Sequence, residues 1–439
     1  MTAMSMDVQE RAYQALAERL LAHLPEGEPP WMAEARRRAA SGLQHLPYPL
    51  VEKMNIAAWP WHRLELPTQS EDVRAAADLP ADVRHLLDDA SPTIVVHRGT
   101  GVYRAHTESV EAEGVIVTDL ATALSEHAEL LRERLFRLVG PEDDRLAALS
   151  AAAFRDGVFV YVPRGLRLER PVNLVFVAGE GGLATRTVVV AEPESRLELI
   201  ETRLSLVRAA SDAAPIIHNG VSELFVEDGA HVLFASVNRF GPEVVDHSRR
   251  VARVGRDGAI VWAIGEVGHA NGMMATQSEL RGEGARAEVN MIGVGTGAQR
   301  NYFDLRVRHY GRHSESMMLA KGILLDQAQQ IYNGVTKIEK KATKASGEQT
   351  ERLLVLSPEA RGDANPILLI EENDVKAGHA ASVGRIDELQ LYYLMSRGLT
   401  REAAEKLLLF AFLDPVIARI PLPGVKARLV EAIEVKLTR

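Results

Sequence analysis

The sequence predicts a mainly β fold: a parallel β-helix flanked by helical segments at both ends. Three observations predict it. Between about residues 151 and 385, short stretches of alternating polarity are separated by Gly, Asp and Asn, with no helical period among them. Within that region one corner pattern returns: an acidic residue, Gly or a small equivalent, a small residue, then a strand. Leucine-rich segments of helical spacing lie before and after it.

Residues 1–150 read as a mostly helical domain. Val8, Ala12, Leu16, Leu20 and Leu21 recur at helical spacing until Pro25. A second helix is expected from Trp31 to about Leu46, where Pro47 and Pro49 stop it. Leu120, Leu124, Leu130, Leu131, Leu135 and Leu138 predict one helix over 119–139, closed by Gly140-Pro141. Between these, Thr93-Ile94-Val95-Val96-His97 reads as a short strand.

Residues 151–385 are expected to form the β-helix. The small residues at the corners are Ser195, Ala230, Ala259 and Ala285, spaced 35, 29 and 26 apart. Strand starts are expected at Met291, Met317 and Leu353, each followed 12 or 13 residues on by another, at Phe303, Gln330 and Asn365. A single coil cannot bury its inward side chains, whereas stacked coils share one continuous core. An antiparallel sandwich or barrel also gives short strands, but does not predict a repeated acidic-Gly-Ala corner.

Residues 386–439 return to helix. Leu389, Tyr392 and Tyr393 share one face before Gly398, a natural stop. Thr400 caps a second helix with an apolar face of Ala403, Ala404, Leu407, Leu408 and Ala411. After the Pro421-Leu422-Pro423-Gly424 break, Val425, Leu429, Ile433 and Leu437 recur every four residues.

Composition narrows the function. With 51 basic and 60 acidic residues the net charge is −9, which argues against nucleic acid or an anionic membrane as partner. No apolar run approaches the roughly 18–20 residues of a membrane span, and no basic-then-apolar leader opens the chain, so a cytoplasmic protein is expected. There is no cysteine, hence no disulfide, thiolate nucleophile or cysteine-based metal site.

Catalytic motifs are scarce. The sequence has no phosphate loop, no Gly-x-Ser-x-Gly elbow and no His-Glu-x-x-His helix. Gly293-Val294-Gly295-Thr296-Gly297 lies among strands and reads as a corner. His309 and His313 are split by Gly311, which favours hydrogen-bonded structural histidines over a metal pair. Glu371, Glu372 and Asp374 would suit a polysaccharide lyase or glycosidase acting alone, the competing reading, but a charged corner of the solenoid is the default reading. The run from Lys337 to Lys344 contains Glu339 and no stacking aromatic, and reads as a solvated strand edge. In the segment 374–384, His379 stands among small residues that leave space beside its ring.

A longer string resembles the SufB/SufD family of iron–sulfur cluster assembly scaffolds. It runs through Gln330-Ile331-Tyr332-Asn333-Gly334, Ala342-Thr343-Lys344-Ala345-Ser346-Gly347-Glu348-Gln349 and Asn365-Pro366-Ile367-Leu368-Leu369-Ile370. It continues through Asp374-Val375-Lys376, His379, Gly384-Arg385-Ile386-Asp387 and Tyr393-Leu394-Met395-Ser396-Arg397-Gly398-Leu399, with Gly157-Val158-Phe159-Val160-Tyr161-Val162-Pro163-Arg164-Gly165 upstream. The resemblance implies a right-handed β-helix and a non-catalytic subunit of a SufBCD complex. That subunit would pair with a SufB-type paralogue through the β-helices and bind a SufC-type ATPase through its C-terminal helices. The absence of cysteine favours the SufD side of the family.

The resemblance further implies that His379 faces a nascent iron–sulfur cluster shared with the SufB-type partner, no cluster being held by this chain alone. Some relatives carry cysteine two residues earlier, where this chain has Ala377, so a thiol role there is excluded. Leu389, Tyr392, Tyr393, Leu407 and Leu408 are the expected ATPase-docking residues. A homodimer of the isolated chain and a flavin in the complex are left open.

Overall fold

The computed structural model describes residues 6–25, 27–66, 73–87, 90–98, 101–206, 214–420 and 423–437. Its N-terminal part holds α1 (Met6–Ala22), α2 (Pro30–Gly42), α3 (Ala81–Arg84), β1 (Thr93–His97), β2 (Gly101–Ala105), α4 (Glu108–Glu111), β3 (Ile116–Asp119), α5 (Leu120–Glu126), α6 (Ala128–Arg134) and α7 (Arg145–Ala153). On α1, Leu16 and Leu20 are buried as expected while Leu21 is exposed; the Val8 side chain lies outside the described residues. α2 ends at Gly42, before the expected Leu46. The single helix expected over 119–139 is two short ones. Asp119 caps α5 by accepting from the Thr122 amide, and the chain breaks at His127. The strand over 93–97 is present, joined by two more that the Leu-centred reading passed over.

From β4 onward, strands alternate between two sheets. They are β4 (Asp156–Val162), β5 (Val172–Ala178), β6 (Gly182–Ala191), β7 (Arg196–Ser205), β8 (Ile216–Val226), β9 (His231–Arg239), β10 (Val244–Val254) and β11 (Ala259–Glu266). They continue with β12 (Asn271–Leu280), β13 (Arg286–Gly295), β14 (Arg300–His309), β15 (Glu315–Leu324), β16 (Gln329–Ile338), β17 (Ser346–Val355), β18 (Arg361–Ile370) and β19 (Lys376–Gly384). Odd-numbered strands from β5 stack in parallel in one sheet and even-numbered strands from β4 in the other, about eight coils in all. The pairing is parallel throughout the stack, which excludes the antiparallel sandwich. At the first end both sheets close with antiparallel strands, β2 on β1 and β3 on β4.

The expected strand starts at Met291, Phe303 and Leu353 fall inside strands, because apolar side chains here mark inward parity rather than strand ends, and the one at Asn365, a polar outward residue, falls inside β18. The corner repeat needs one correction. Positive φ recurs at Glu194 (65°), Gly229 (68°), Asp257 (52°), Gly284 (70°), His313 (54°) and Lys344 (64°). The small residues following them, Ser195, Ala230, Gly258, Ala285, Ser314 and Ala345, stack in register. Ala259 is therefore the first strand residue of its coil, opposite His231, and Gly258 holds the corner. Asp257 takes the left-handed angle that glycine holds in the coils on either side, a conformation short polar residues tolerate.

Half of the lumen is apolar, filled by residues such as Phe176, Phe234, Trp262 and Phe303. The other half carries charge. Arg203 Nη1 donates to Asp246 Oδ2 at 3.0 Å and to Ser248 Oγ, and Nη2 to Glu266 Oε1 at 2.9 Å. Arg250 Nη2 donates to Glu201 Oε1 at 2.8 Å, and His218 Nδ1 meets Asp246 Oδ1 at 2.6 Å. All of these side chains are buried. Burial raises the Glu201 and Asp246 carboxyls, but Arg250 and Arg203 hold Glu201, and Arg203 with His218 holds Asp246, below the usual range; at Glu266 burial prevails and the shift is upward.

Both outer faces are covered. The even-numbered sheet packs Phe159, Val188, Ile217 and Phe225 against α1, α2, α5 and α7. On this face the Glu223 carboxylate pairs with Arg186 at 2.8 Å and accepts from the amides of Phe136, Leu138 and Val139. The odd-numbered sheet is covered by α9 (Arg401–Ile417) and α10 (Pro423–Leu437), with α8 (Glu388–Ser396) packed on α9. Ala235, Val237, Ile292 and Ile323 meet Leu409, Leu413, Val416, Leu429 and Ile433 there. Lys436 reaches into this seam and donates to the carbonyls of Gly268 and Val294, where burial pushes its ammonium down to about 7. The break proposed over 421–424 begins at residues 421 and 422, which lie outside the described set; α10 itself starts at Pro423, the favoured first helical position.

Removing one partner of a buried ion pair leaves charge uncompensated and costs about 3–5 kcal/mol. Arg203→Met should therefore lower solenoid stability by about that amount in urea unfolding, without loss of strand content by circular dichroism. A loss under about 1 kcal/mol would show that the lumen charges do not hold the coils.

Candidate functional site

The two ends of the solenoid differ. The first is closed by β2 and β3, whereas β18 and β19 pair only with β16 and β17 and nothing in the described chain covers them. Leu369, Ile370 and Val383 are left 40–49% exposed there. A tether reaches this coil from the N-terminal part, where Lys53 Nζ donates to Asn365 Oδ1 at 2.6 Å.

His379 sits on β19 in register with Gln349 of β17. Gln349 is buried and points inward, since its Nε2 lies near the carbonyls of Gly334 and Ile367 and its Oε1 accepts from Thr336 across the lumen at 2.8 Å. Parity therefore puts His379 on the inward face of the last coil, and it is exposed because no coil follows. Its inward neighbours are Ala377 and Ala381. The room beside the ring that the sequence implied is a mouth to the lumen.

One coil below lies a carboxylate that the sequence reading missed. Glu351 is in register with Ala381, fully buried, and reaches across to Gly334, where an added Cβ would stand 2.0 Å from its Oε1. Neither oxygen closes a hydrogen bond of ordinary geometry among the described residues. Burial pushes its carboxyl up to about 7, with the nearby amides of Asn365 and Gly334 offsetting part of the rise. Parity was the available signal: two steps back from inward Leu353 is Glu351, and two more is Gln349. The charges of the mid-lumen could have been found the same way, from Glu201 and Arg203 following inward Leu197 and Leu199.

The other motifs resolve as structure. His309 is buried between the hydroxyls of Ser314 and Ser316, and burial pushes it down to about 4; His313 is an exposed corner residue. Glu371, Glu372 and Asp374 form the last corner, held by Lys337, the Lys341 amide and Lys344. Lys337 pairs with Glu339 as well, so the basic run is neutralised locally. Gly297 is a corner with φ 60°, and Gly293 lies against Tyr332. Among the described residues no three His, Cys, Asp or Glu side chains converge as a metal site.

The C-terminal helices carry the second candidate surface. Asp387 caps α8 and Thr400 caps α9, each accepting from amides of the first turn. Leu389 (75%), Tyr392 (70%) and Tyr393 (55%) are exposed and, with Leu408, line an apolar hollow of about 630 Å³. Leu407 is exposed but stands outside it. The apolar face expected on α9 is corrected: Ala403, Leu407 and Ala411 face outward, while Ala404, Leu409, Leu413, Val416 and Ile417 are buried, most of them against the solenoid.

Comparison with known proteins agrees with this architecture. The sequence matches the family description "SUF system FeS cluster assembly, SufBD core domain" over residues 175–412 and "SufBD protein N-terminal region" over 7–174. The chain belongs to the SufB/SufD family. Among its relatives, the iron-sulfur cluster assembly protein SufD of Bacillus subtilis is 38% identical over 419 residues, covering 93% of this chain and 95% of that one. SufB of the same organism is 23% identical over 411 residues, covering 90% and 87%. A SufBD family protein of Staphylococcus epidermidis is 25% identical over 436 residues, covering 94% and 91%. Within the SufB/SufD family the chain thus stands nearer that SufD than that SufB, as the absence of cysteine predicts. No helix of the described residues is long and apolar enough to cross a membrane.

Because the Glu351 carboxyl titrates higher folded than unfolded, the folded state holds the extra proton between about pH 4.5 and 7. Stability is greatest below that window and falls as pH rises through it. Glu351→Gln should flatten this slope, of at most about 1.4 kcal/mol per pH unit, and be the more stable protein at pH 8. Parallel urea midpoints for the two proteins across the window would refute the burial argument.

Proposed function

We propose that this chain is a SufD-type scaffold subunit of an iron–sulfur cluster assembly complex, without catalytic activity of its own. The observation that carries this reading is the uncovered last coil with His379 at its mouth. An unpaired parallel edge with exposed Leu369, Ile370 and Val383 is a liability in an isolated protein and a natural surface for a second β-helix. A SufB-type paralogue is the occupant that family membership favours. Its cysteines would supply the thiolates this chain lacks, with the imidazole of His379 facing the nascent cluster. The cluster is cargo shared at that interface.

A SufC-type ATPase is proposed on the hollow formed by Leu389, Tyr392, Tyr393 and Leu408. Aromatic and leucine side chains this exposed fit the anchors of a protein interface. Deleting the whole helical tail would strip the outer face of the odd-numbered sheet, so point changes test docking more cleanly. Tyr392→Glu with Leu389→Glu should abolish co-purification of the ATPase while thermal unfolding stays within about 1–2 °C of the parent. Retained capture would put the docking site elsewhere.

His379→Ala should leave folding and complex assembly intact, since exposed substitutions shift stability by less than about 0.5 kcal/mol. Cluster content of the co-expressed complex, read by visible absorbance and iron and sulfide assay, should fall several-fold. Full cluster yield from an intact complex would reduce His379 to structure.

A further inference from the structure

We infer that Glu351 is a metal ligand: together with His379 it forms a divalent-cation site at the mouth of the solenoid, suited to a first-row ion such as Fe2+. The inference deepens the cluster-interface reading and rests on it. Three features of the coil point there. The Glu351 carboxyl is fully buried and neither oxygen closes a hydrogen bond among the described residues, so it stands as an unsatisfied acceptor inside the protein. Such a group is costly unless a cation or proton meets it. It is also held by design of the neighbouring strand, because only glycine at 334 leaves space for the Oε1 atom.

The second feature is the path between carboxylate and mouth. Ala381 stacks directly above Glu351, and Ala377 flanks His379 on the other side. On β18 the inward residues in register with Gly334 and Tyr332 are Pro366 and Ala364. In register, the buried carboxyl is thus overlain by Ala381 and not by a long side chain.

The third feature is register. His379 and Glu351 lie on the same inward face of neighbouring strands, two residues out of step. Strand geometry puts their Cα atoms about 8 Å apart, within reach of one ion bound by an imidazole nitrogen and a carboxylate oxygen. Gln349 lies directly across from His379 on the strand that carries Glu351, its side-chain oxygen already taken by Thr336. An imidazole with a carboxylate favours Fe2+, Mn2+ or Zn2+ over the oxygen-seeking Mg2+ and Ca2+. Two protein ligands leave coordination positions for water, or for groups of whatever chain covers the mouth.

The test uses Mn2+ as an electron-paramagnetic-resonance probe on the full-length chain, with cluster assays on the co-expressed complex. The parent should bind one Mn2+ that Glu351→Gln weakens at least tenfold. Ala381→Leu, which blocks the path and leaves the carboxylate in place, should weaken it comparably. His379→Ala should weaken it too. Unchanged Mn2+ binding in Glu351→Gln or Ala381→Leu overturns the inference, and a lowered cluster yield in His379→Ala would then leave the cluster-interface reading standing. Lost Mn2+ binding in Glu351→Gln, with full cluster yield from the His379→Ala complex, keeps the cation site and overturns the reading on which its role was based.

Discussion

A coil of this solenoid has no core until another coil lies on it, and every feature of the molecule follows from where that stacking starts and stops. Alternation sends every second side chain into the lumen and the rest outward. Over most of the stack both outer faces are covered by helices of the same chain, which bury the outward side chains there. The axial ends remain. One is closed by two short antiparallel strands, which finish the ladder without inviting another chain. The other simply ends at β18 and β19. Proteins usually blunt such edges. Here the edge combines unpaired backbone with exposed Leu369, Ile370 and Val383, and it also bears His379.

The lumen charges bear on how the stack keeps its order. Arg203 belongs to β7, Asp246 to β10 and Glu266 to β11, so one guanidinium joins three successive coils. A uniform apolar lumen would accept neighbouring coils in several registers. A one-residue slip would bring these charges to the outer faces and leave their partners unpaired. The network therefore contributes more to choosing a single register than to net stability, since buried ion pairs offset little of their desolvation.

Much of the architecture was legible because its signals are local. Corner residues, helix caps at Thr400 and Gly398, and the four-residue rhythm of Val425, Leu429 and Ile433 are read from neighbours in the chain, and the structure keeps them. What failed were inferences about which partner a side chain meets. Asp257 took a corner position because acidic residues tolerate left-handed angles, so the Asp-Gly-Ala string aligned one residue late. Leucines over 119–139 have helical spacing, yet the chain breaks at His127 and turns so that Glu223 can bind the amides of Phe136, Leu138 and Val139. Glu351 looked like one acidic residue among many, and only the pairing of β17 with β16 and β19 gives it a place.

The C-terminal helices mark the limit most clearly. α9 has apolar residues around most of its circumference: Leu407 and Leu408 on one side, Leu409, Leu413 and Val416 on another. Sequence periodicity finds both stripes but does not rank them. The outer face of β9, β11, β13 and β15 decides, because Val237, Ile292, Val294 and Ile323 need a cover and a helix can turn only one stripe inward. The remaining stripe, with Leu389, Tyr392 and Tyr393 of α8, is then left to solvent by the geometry of the first contact. The apolar surface that persists on α8 and α9 is thus what remains after the chain has satisfied its own sheet, not a face the sheet failed to cover.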